Sequence, residues 1–258
     1  MRNIIVLKCG GSTVGALSDQ FYHSIAALKE AGMQPIIVHG GGPEIKKQLN
    51  RLSIKSEFVD GLRRTTKPIM ELVEMVLSGK VNKEIVRKLT SCGIAAIGLS
   101  GSDGALLTAT PLDYERYGLV GNVDKVNQSF LLSLLDLGIV PVIAPIAPGE
   151  DGRTYNINAD TAAGAIAREL RAKQLVFVTD VPGVMKKGQL VDSISSAAVE
   201  KMIDSGIIYG GMIPKVKAAI ASLHGGLNEA VIMDGKNGRL SANNQWSGTI
   251  IKKSMEVV

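Results

Sequence analysis

Several stretches of this chain join glycine to lysine, arginine, asparagine or aspartate at spacings that could bind and move an anionic group. Lys8-Cys9-Gly10-Gly11 and His39-Gly40-Gly41-Gly42-Pro43 each follow a short apolar run. A glycine at such a turn lets a backbone N–H approach an oxyanion that a Cβ would block. Each turn alone reads equally well as a tight turn. Together, with Lys8 on one and a Pro-started helix after the other, they favour phosphate binding. Neither has the spacing of a Walker loop or of Gly-x-Gly-x-x-Gly, which argues against a P-loop enzyme and against a Rossmann dehydrogenase.

Asn156-Ile157-Asn158-Ala159-Asp160 stands before an apolar helical stretch. Asn158 or Asp160 could cap that helix, but one residue suffices, so the alternating polar set reads as part of a site. Gly210-Gly211-Met212-Ile213-Pro214-Lys215 puts a lysine in the first turns of a helix, where the dipole repels a cation unless an anion is near. A solvated surface lysine is the other reading. Asp60-Gly61-Leu62-Arg63-Arg64-Thr65-Thr66 fits either a planar fork for a carboxylate or a solvated arginine pair. Thr179-Asp180-Val181-Pro182-Gly183-Val184 fits either a nucleotide edge at a strand end or a plain sharp turn. His39 has no Ser or Cys motif around it that suggests a triad, and His23 and His224 fall on expected helices, so none is assigned chemistry. Cys9 and Cys92 lack zinc or redox spacing and fit a reducing compartment.

Continuous apolar runs at 4–7, 35–38, 95–99, 139–144, 175–179 and 230–233 predict strands buried on both faces. Helical spacing follows at Phe21, Ile25 and Leu28 within 17–31, at Ile45, Leu49 and Leu52 after Pro43, and at Ile69, Leu72, Val73 and Val76 after Pro68. A second stripe comes at Val81, Ile85, Val86 and Leu89, and further helices are expected over 127–137, 159–170, 197–205 and 211–223. Residues 105–126, with Gly118 and Gly121 between short β-type runs, predict hairpins. Alternating β and α implies a mainly parallel sheet with helices on both faces, and both Gly-rich turns fall beyond its carboxyl edge, where crevices form. No linker or internal repeat divides the chain, so one compact domain is expected over 1–258.

With 45% apolar and 21% charged residues, the 258-residue chain lies within the range of folded proteins. Its net charge of +5 includes no run of five like charges, so no nucleic-acid partner is expected. No stretch approaches the ~20 apolar residues of a membrane span, and the opening run is too short for a signal peptide, so a cytosolic protein is expected.

Taken together, Lys8-Cys9-Gly10-Gly11, His39-Gly40-Gly41-Gly42-Pro43, Gly61-Leu62-Arg63, the Asn156 to Asp160 stretch, Thr179-Asp180-Val181-Pro182-Gly183 and Gly211-Met212-Ile213-Pro214-Lys215 resemble the amino acid kinase family. The resemblance runs in order over nearly the whole chain. Gly-Leu-Arg and Asn-x-Asn-Ala-Asp are similar to members whose substrate is N-acetyl-L-glutamate.

The resemblance implies a three-layer αβα sandwich. Its first lobe, about 1–150, would bind the amino-acid substrate and its second, 151–258, would bind ATP. The γ-phosphoryl group of MgATP would pass to the side-chain carboxylate of N-acetyl-L-glutamate in arginine biosynthesis. By resemblance, Lys8 and Lys215 stabilise the transferring group and Asp160 orients both. Gly10 and Gly11 bind phosphate, while Gly41, Gly42, Arg63, Asn156 and Asn158 hold the substrate. ATP would lie over Asp180, Val181, Pro182, Gly183, Val184 and Met185 and over Ile207, Ile208 and Tyr209. Mg²⁺ would be held through ATP phosphates, with no metal site on the protein. Cys9 replaces a larger apolar residue common in the family, pointing into the sheet packing.

Arginine-inhibited members carry an N-terminal helix that joins dimers into hexamers, and two C-terminal signatures. Here the first strand begins near Asn3, and residues 239–249 read Arg-Leu-Ser-Ala-Asn-Asn-Gln-Trp-Ser-Gly-Thr. The expectation is a homodimer, sealed by the helix after Pro68 and insensitive to arginine. Rival readings are a kinase for glutamate, aspartate or carrier-linked aminoadipate, or a non-catalytic nucleotide sensor on the same fold.

Overall fold

The apolar runs become strands of one eight-stranded sheet: β1 (Ile4–Cys9), β2 (Gln34–His39), β3 (Ala96–Ser100), β4 (Val140–Ala144), β5 (Gln174–Thr179), β6 (Ser193–Ser195), β7 (Glu229–Asp234) and β8 (Gly248–Lys252). In this computed structural model, which describes residues 2–238, 240 and 246–254, they lie side by side as β6-β8-β7-β5-β1-β2-β4-β3. From β7 to β3 all neighbours are parallel. β8 is antiparallel to β7, and β6 is parallel to β8.

Along β1, Ile4 and Val6 enter one hydrophobic core while Ile5, Leu7 and Cys9 enter another on the opposite face. This two-sided burial is why the run does not alternate with polar residues. Helices Gln128–Asp136, Ala159–Glu169, Ser196–Asp204 and Met212–His224 cover the first core. Asp19–Glu30, Gly42–Arg51 and a long central helix cover the second, completing three layers. Asp19–Glu30 links β1 to β2 on one face, and Met212–His224 leads into β7 on the other. The connections thus diverge at β1 and β5, and a crevice opens at the carboxyl ends of those strands.

The central helix runs through Lys67–Glu74, a π-helical segment Met75–Val81, and Asn82–Ser91. Its π segment buries Val76, Leu77 and Val81 and joins the two α-helical segments into one rod. Leu52, expected on the buried stripe of the preceding helix, is 58% exposed, because Gly42–Arg51 ends before it and Leu52 is only the cap.

A smaller sheet of Leu107–Pro111, Val120–Val126, Thr154–Ile157 and Ile146–Pro148 carries the expected hairpin and sets Asn156 opposite Val120. The two-residue strands Phe58–Val59 and Leu62–Arg63, the hairpin of Met185–Lys186 with Gln189–Leu190, and β6 and β8 were not expected. Each is too short to show a period, and β8 follows the last apolar run that reads as a strand. Of the 239–249 stretch, residues 239 and 241–245 lie outside the described residues. Among the described residues, no helix is long and apolar enough to cross a membrane.

Candidate active site

β1 and β2 end in register, with Cys9 opposite His39, so the two Gly-rich turns meet. A Cβ on Gly11 would lie 2.6 Å from the Gly42 nitrogen and 2.8 Å from that of Gly41. No side chain fits there, and the approach of two backbones is the reason for glycine. Gly11 opens the helical turn Gly11–Val14, and Gly41 caps the helix Gly42–Arg51. The opening amides of a helix have no partner within it, so these N–H groups gather around one small volume. The Gly10 amide is committed elsewhere: it donates to the Val178 carbonyl at 3.1 Å. That bond holds the turn against β5, and Gly10 also lines the cavity that Lys8 and Lys215 share.

Lys8 lies at the carboxyl end of β1, and its Nζ is 2.8 Å from Asp160 Oδ1, in the first turn of Ala159–Glu169. Lys215, in the first turn of Met212–His224, is 2.6 Å from Asp180 Oδ1 at the end of β5. Each cation therefore has its own carboxylate, Asp160 for Lys8 and Asp180 for Lys215, and Asp160 lines the same cavity as Lys215. The Asp180 partner also relieves the helix-dipole repulsion on Lys215. The hydrogen bond from Lys215 holds the Asp180 carboxyl below its usual pKa. One cavity is lined by Lys8, Gly11, Asp160, Asp180 and Lys215, so the two ion pairs face each other across a gap.

A neighbouring pocket is lined by Gly41, Gly42, Phe58, Arg63, Leu77 and Asn156, among others. Arg63 is only 8% exposed. Its Nη1 donates to Ser56 Oγ at 2.7 Å and its Nη2 to the Gly42 carbonyl at 3.4 Å, while the guanidinium lies 4.6 Å from the Phe58 ring centre. Among the described residues no carboxylate pairs with it, and burial lowers its pKa. Arg64, on the other face of the same short strand region, pairs with Glu57 at 3.2 Å. The arginine pair thus divides, one cation in the pocket and one on the surface, as strand alternation dictates. Asn156 donates to Thr65 Oγ1 at 3.2 Å, and Thr65 donates to the Arg63 carbonyl at 2.8 Å. Thr65 carried no sequence signal. Asn158 also lines this pocket, but its side chain caps Ala159–Glu169 by accepting from the Asp160 and Thr161 amides. Its Oδ1 thus also fills the capping role that the sequence offered.

The stretches expected to carry the nucleotide divide as well. Asp180 reaches the lysine cavity. Pro182, Met185, Ile207 and Tyr209 are exposed, and Val181 is half-buried. Val184 and Ile208 belong to the first core, and the Val184 amide donates to Thr249 Oγ1 at 2.8 Å. These two side chains pack inward. Gly183, at φ 145°, could not carry a side chain, since a Cβ would meet Thr249.

The model of the amino acid kinase family matches residues 3–234. The chain belongs to the amino acid kinase family. Acetylglutamate kinase of Geobacillus kaustophilus (strain HTA426) is 49% identical over 257 residues, covering 100% of this chain and 99% of that protein. Acetylglutamate kinase of Geobacillus sp. (strain WCH70) is 49% identical over 257 residues, covering 100% of both. Among solved structures, smu.665 from Streptococcus mutans UA159 superposes with a TM-score of 0.85 at 33% identity, covering 98% of this chain and 99% of that one. The cavity between the two lysine–aspartate pairs lies beside the pocket that holds the buried arginine.

Proposed function

We propose that this chain transfers the γ-phosphoryl group of MgATP to the side-chain carboxylate of N-acetyl-L-glutamate, giving N-acetyl-L-glutamyl 5-phosphate and ADP in the cytosolic synthesis of arginine. The observation that carries the reading is Arg63: a buried guanidinium without a carboxylate partner among the described residues, beside the Gly41 and Gly42 amides and next to the lysine cavity. A buried cation left unpaired is strongly unfavourable, and an anionic substrate group removes that penalty. In this reading Arg63 takes the α-carboxylate, and Asn156 hydrogen-bonds the substrate. The apolar walls Leu77 and Phe58 suit the acetyl group and the side-chain methylenes.

The acceptor carboxylate is already a nucleophile, so the residues need to position and screen rather than abstract a proton. An oxygen of the carboxylate forms the new bond to phosphorus as the bond to the ADP oxygen breaks. Lys8 and Lys215 offset charge on the phosphoryl group from opposite sides. Asp160 and Asp180 fix the two ammonium groups, and the amides of Gly11, Gly41 and Gly42 bind the oxygens passing between. Mg²⁺ would accompany the nucleotide, held through its phosphate oxygens, and would offset phosphate charge there. Asp180, Pro182, Met185, Ile207 and Tyr209 remain the nucleotide edge of this reading. Residues 1–150 then supply most of the substrate pocket and 151–258 the nucleotide side, with Asn156 and Asn158 reaching across. Two chains form the working enzyme. An ATP-consumption assay with N-acetyl-L-glutamate, glutamate and aspartate side by side tests the reading. Turnover with the first alone is expected, and equal or greater turnover with either free amino acid would overturn it.

A further inference from the structure

His39 is fully buried at the end of β2, immediately before the Gly-rich turn, and the chemistry above leaves it unused. Its Nδ1 lies 3.0 Å from the Gly40 carbonyl oxygen, and its Nε2 lies 3.1 Å from Asn82 Nδ2. A carbonyl can only accept, so Nδ1 carries the proton and donates to it. Nε2 is then the acceptor. Asn82, also fully buried, has its amide orientation settled independently: Nδ2 donates to the Val142 carbonyl at 2.8 Å, and Oδ1 accepts from Lys83 Nζ at 3.2 Å. The imidazole therefore has one tautomer and one orientation. The Gly40 carbonyl it holds belongs to the peptide whose nitrogen is that of Gly41. That peptide sets the direction in which the Gly41 N–H points.

Two further observations show that this link is built into the fold. Gly98 on β3 has no side chain where a Cβ would overlap Asn82 Oδ1, so β3 makes room for Asn82. Asn82 begins the helical segment directly after the π turn, whose Leu77 packs on Gly41. The central helix thus touches the Gly-rich turn twice, once through Leu77 and once through Asn82 and His39.

We infer that His39 is a positioning residue, locked by Asn82, that aims the Gly41 amide at the group being transferred. The inference rests on the reading above, in which the Gly41 and Gly42 amides hold reacting oxygens. Asparagine places an amide nitrogen near the position of Nδ1, and glutamine places its terminal group near Nε2. H39N should keep the bond to Gly40, and H39Q should lose it. The expected kcat of H39N is at least about tenfold above that of H39Q, with the KM for ATP within about twofold in both. Asn82→Leu, which frees the ring to rotate, should fall with H39Q.

A merely structural role would lower thermal stability and kcat together in both His39 variants. Melting temperatures measured beside the kinetics separate the cases, and equal loss in H39N and H39Q would overturn the inference. Spectra of the substrate-free protein labelled with ¹⁵N-glycine supply a readout that is independent of acceptor identity. The Gly41 amide resonance should move in H39Q and in Gly98→Ala and stay in place in H39N. If it stays in place in H39Q, the inference falls. If instead the wild-type protein turned over a different carboxylate, only the substrate reading would fall, because these spectra contain none.

Discussion

Lys8 and Lys215 each face the cavity with a carboxylate behind them, at 2.8 Å and 2.6 Å respectively. Removing either ammonium leaves an aspartate facing an anionic reaction centre, which both withdraws stabilisation and adds repulsion. Lys8→Ala and Lys215→Ala should each lower turnover by on the order of 10²-fold or more, the scale of losing one electrostatic stabiliser. Near wild-type kcat at saturating substrates in either variant would end that role for the lysine concerned. Arg63→Lys keeps the charge but not the fork that reaches Ser56 and the Gly42 carbonyl. The KM for N-acetyl-L-glutamate should rise at least about tenfold with little change for ATP, and an equal effect on both would move Arg63 out of the substrate pocket. Both lysines, Asp160 and Arg63 were legible because charge at a turn or helix start is costly without a partner. The pairing was not legible. Nothing in the order of residues says that Asp180 rather than Asp160 holds Lys215, since that depends on how β5 and the helix Met212–His224 approach. Thr65 and Ser56 were invisible for the same reason.

Elements were legible wherever burial on a face leaves a period, as in β1 with its two cores or the helices carrying Ile25 and Ile166. The π segment of the central helix left no mark in the sequence, because buried Leu77 and Val81 keep the four-residue step of an α-helix. Asn82 gave no signal at all, because one polar residue beside an apolar stripe reads as surface until its partners are known. Its link to His39 ties the central helix to β2 and has a pH signature. Burial pushes the His39 imidazole down from 6.5 to about 4. The unfolded chain therefore binds a proton between those values that the folded chain refuses. Stability is full above about pH 6.5 and falls as pH drops toward 4. Between pH 7.5 and 5.0 this group should remove about 2 kcal/mol of unfolding free energy. Urea unfolding at the two pH values measures it, with H39N as the comparison, because asparagine does not titrate. An equal loss in wild type and variant would show that His39 takes up its proton without opposing the fold.

At the scale of the whole molecule, the parallel middle of the sheet followed from alternating strands and helices. Its far edge did not, because β6 and β8 are fixed by partners distant in sequence. Assembly is likewise a property of the surface, and the surface holds a candidate interface. The central helix packs its inner side on the second core, yet Met75 on that helix is 63% exposed. Beside it runs a groove lined by apolar Met70, Tyr114 and Leu119 and by charged Lys67, Glu71, Glu74 and Arg153, with Tyr114 54% exposed. Met75 and Tyr114, two exposed large apolar side chains ringed by charge, make this face the candidate for a contact between copies. A second copy meeting this face through a two-fold axis would bring Met75 against the same helix of its partner and cover both grooves at once. Light scattering on the eluting peak of a sizing column should give the mass of two chains. Met75→Asp would place a charge at the centre of the contact and should shift the peak toward one chain without unfolding it. A wild-type protein that elutes as a monomer at micromolar concentration, or a Met75→Asp variant that remains a dimer, would show that this face is not where copies meet.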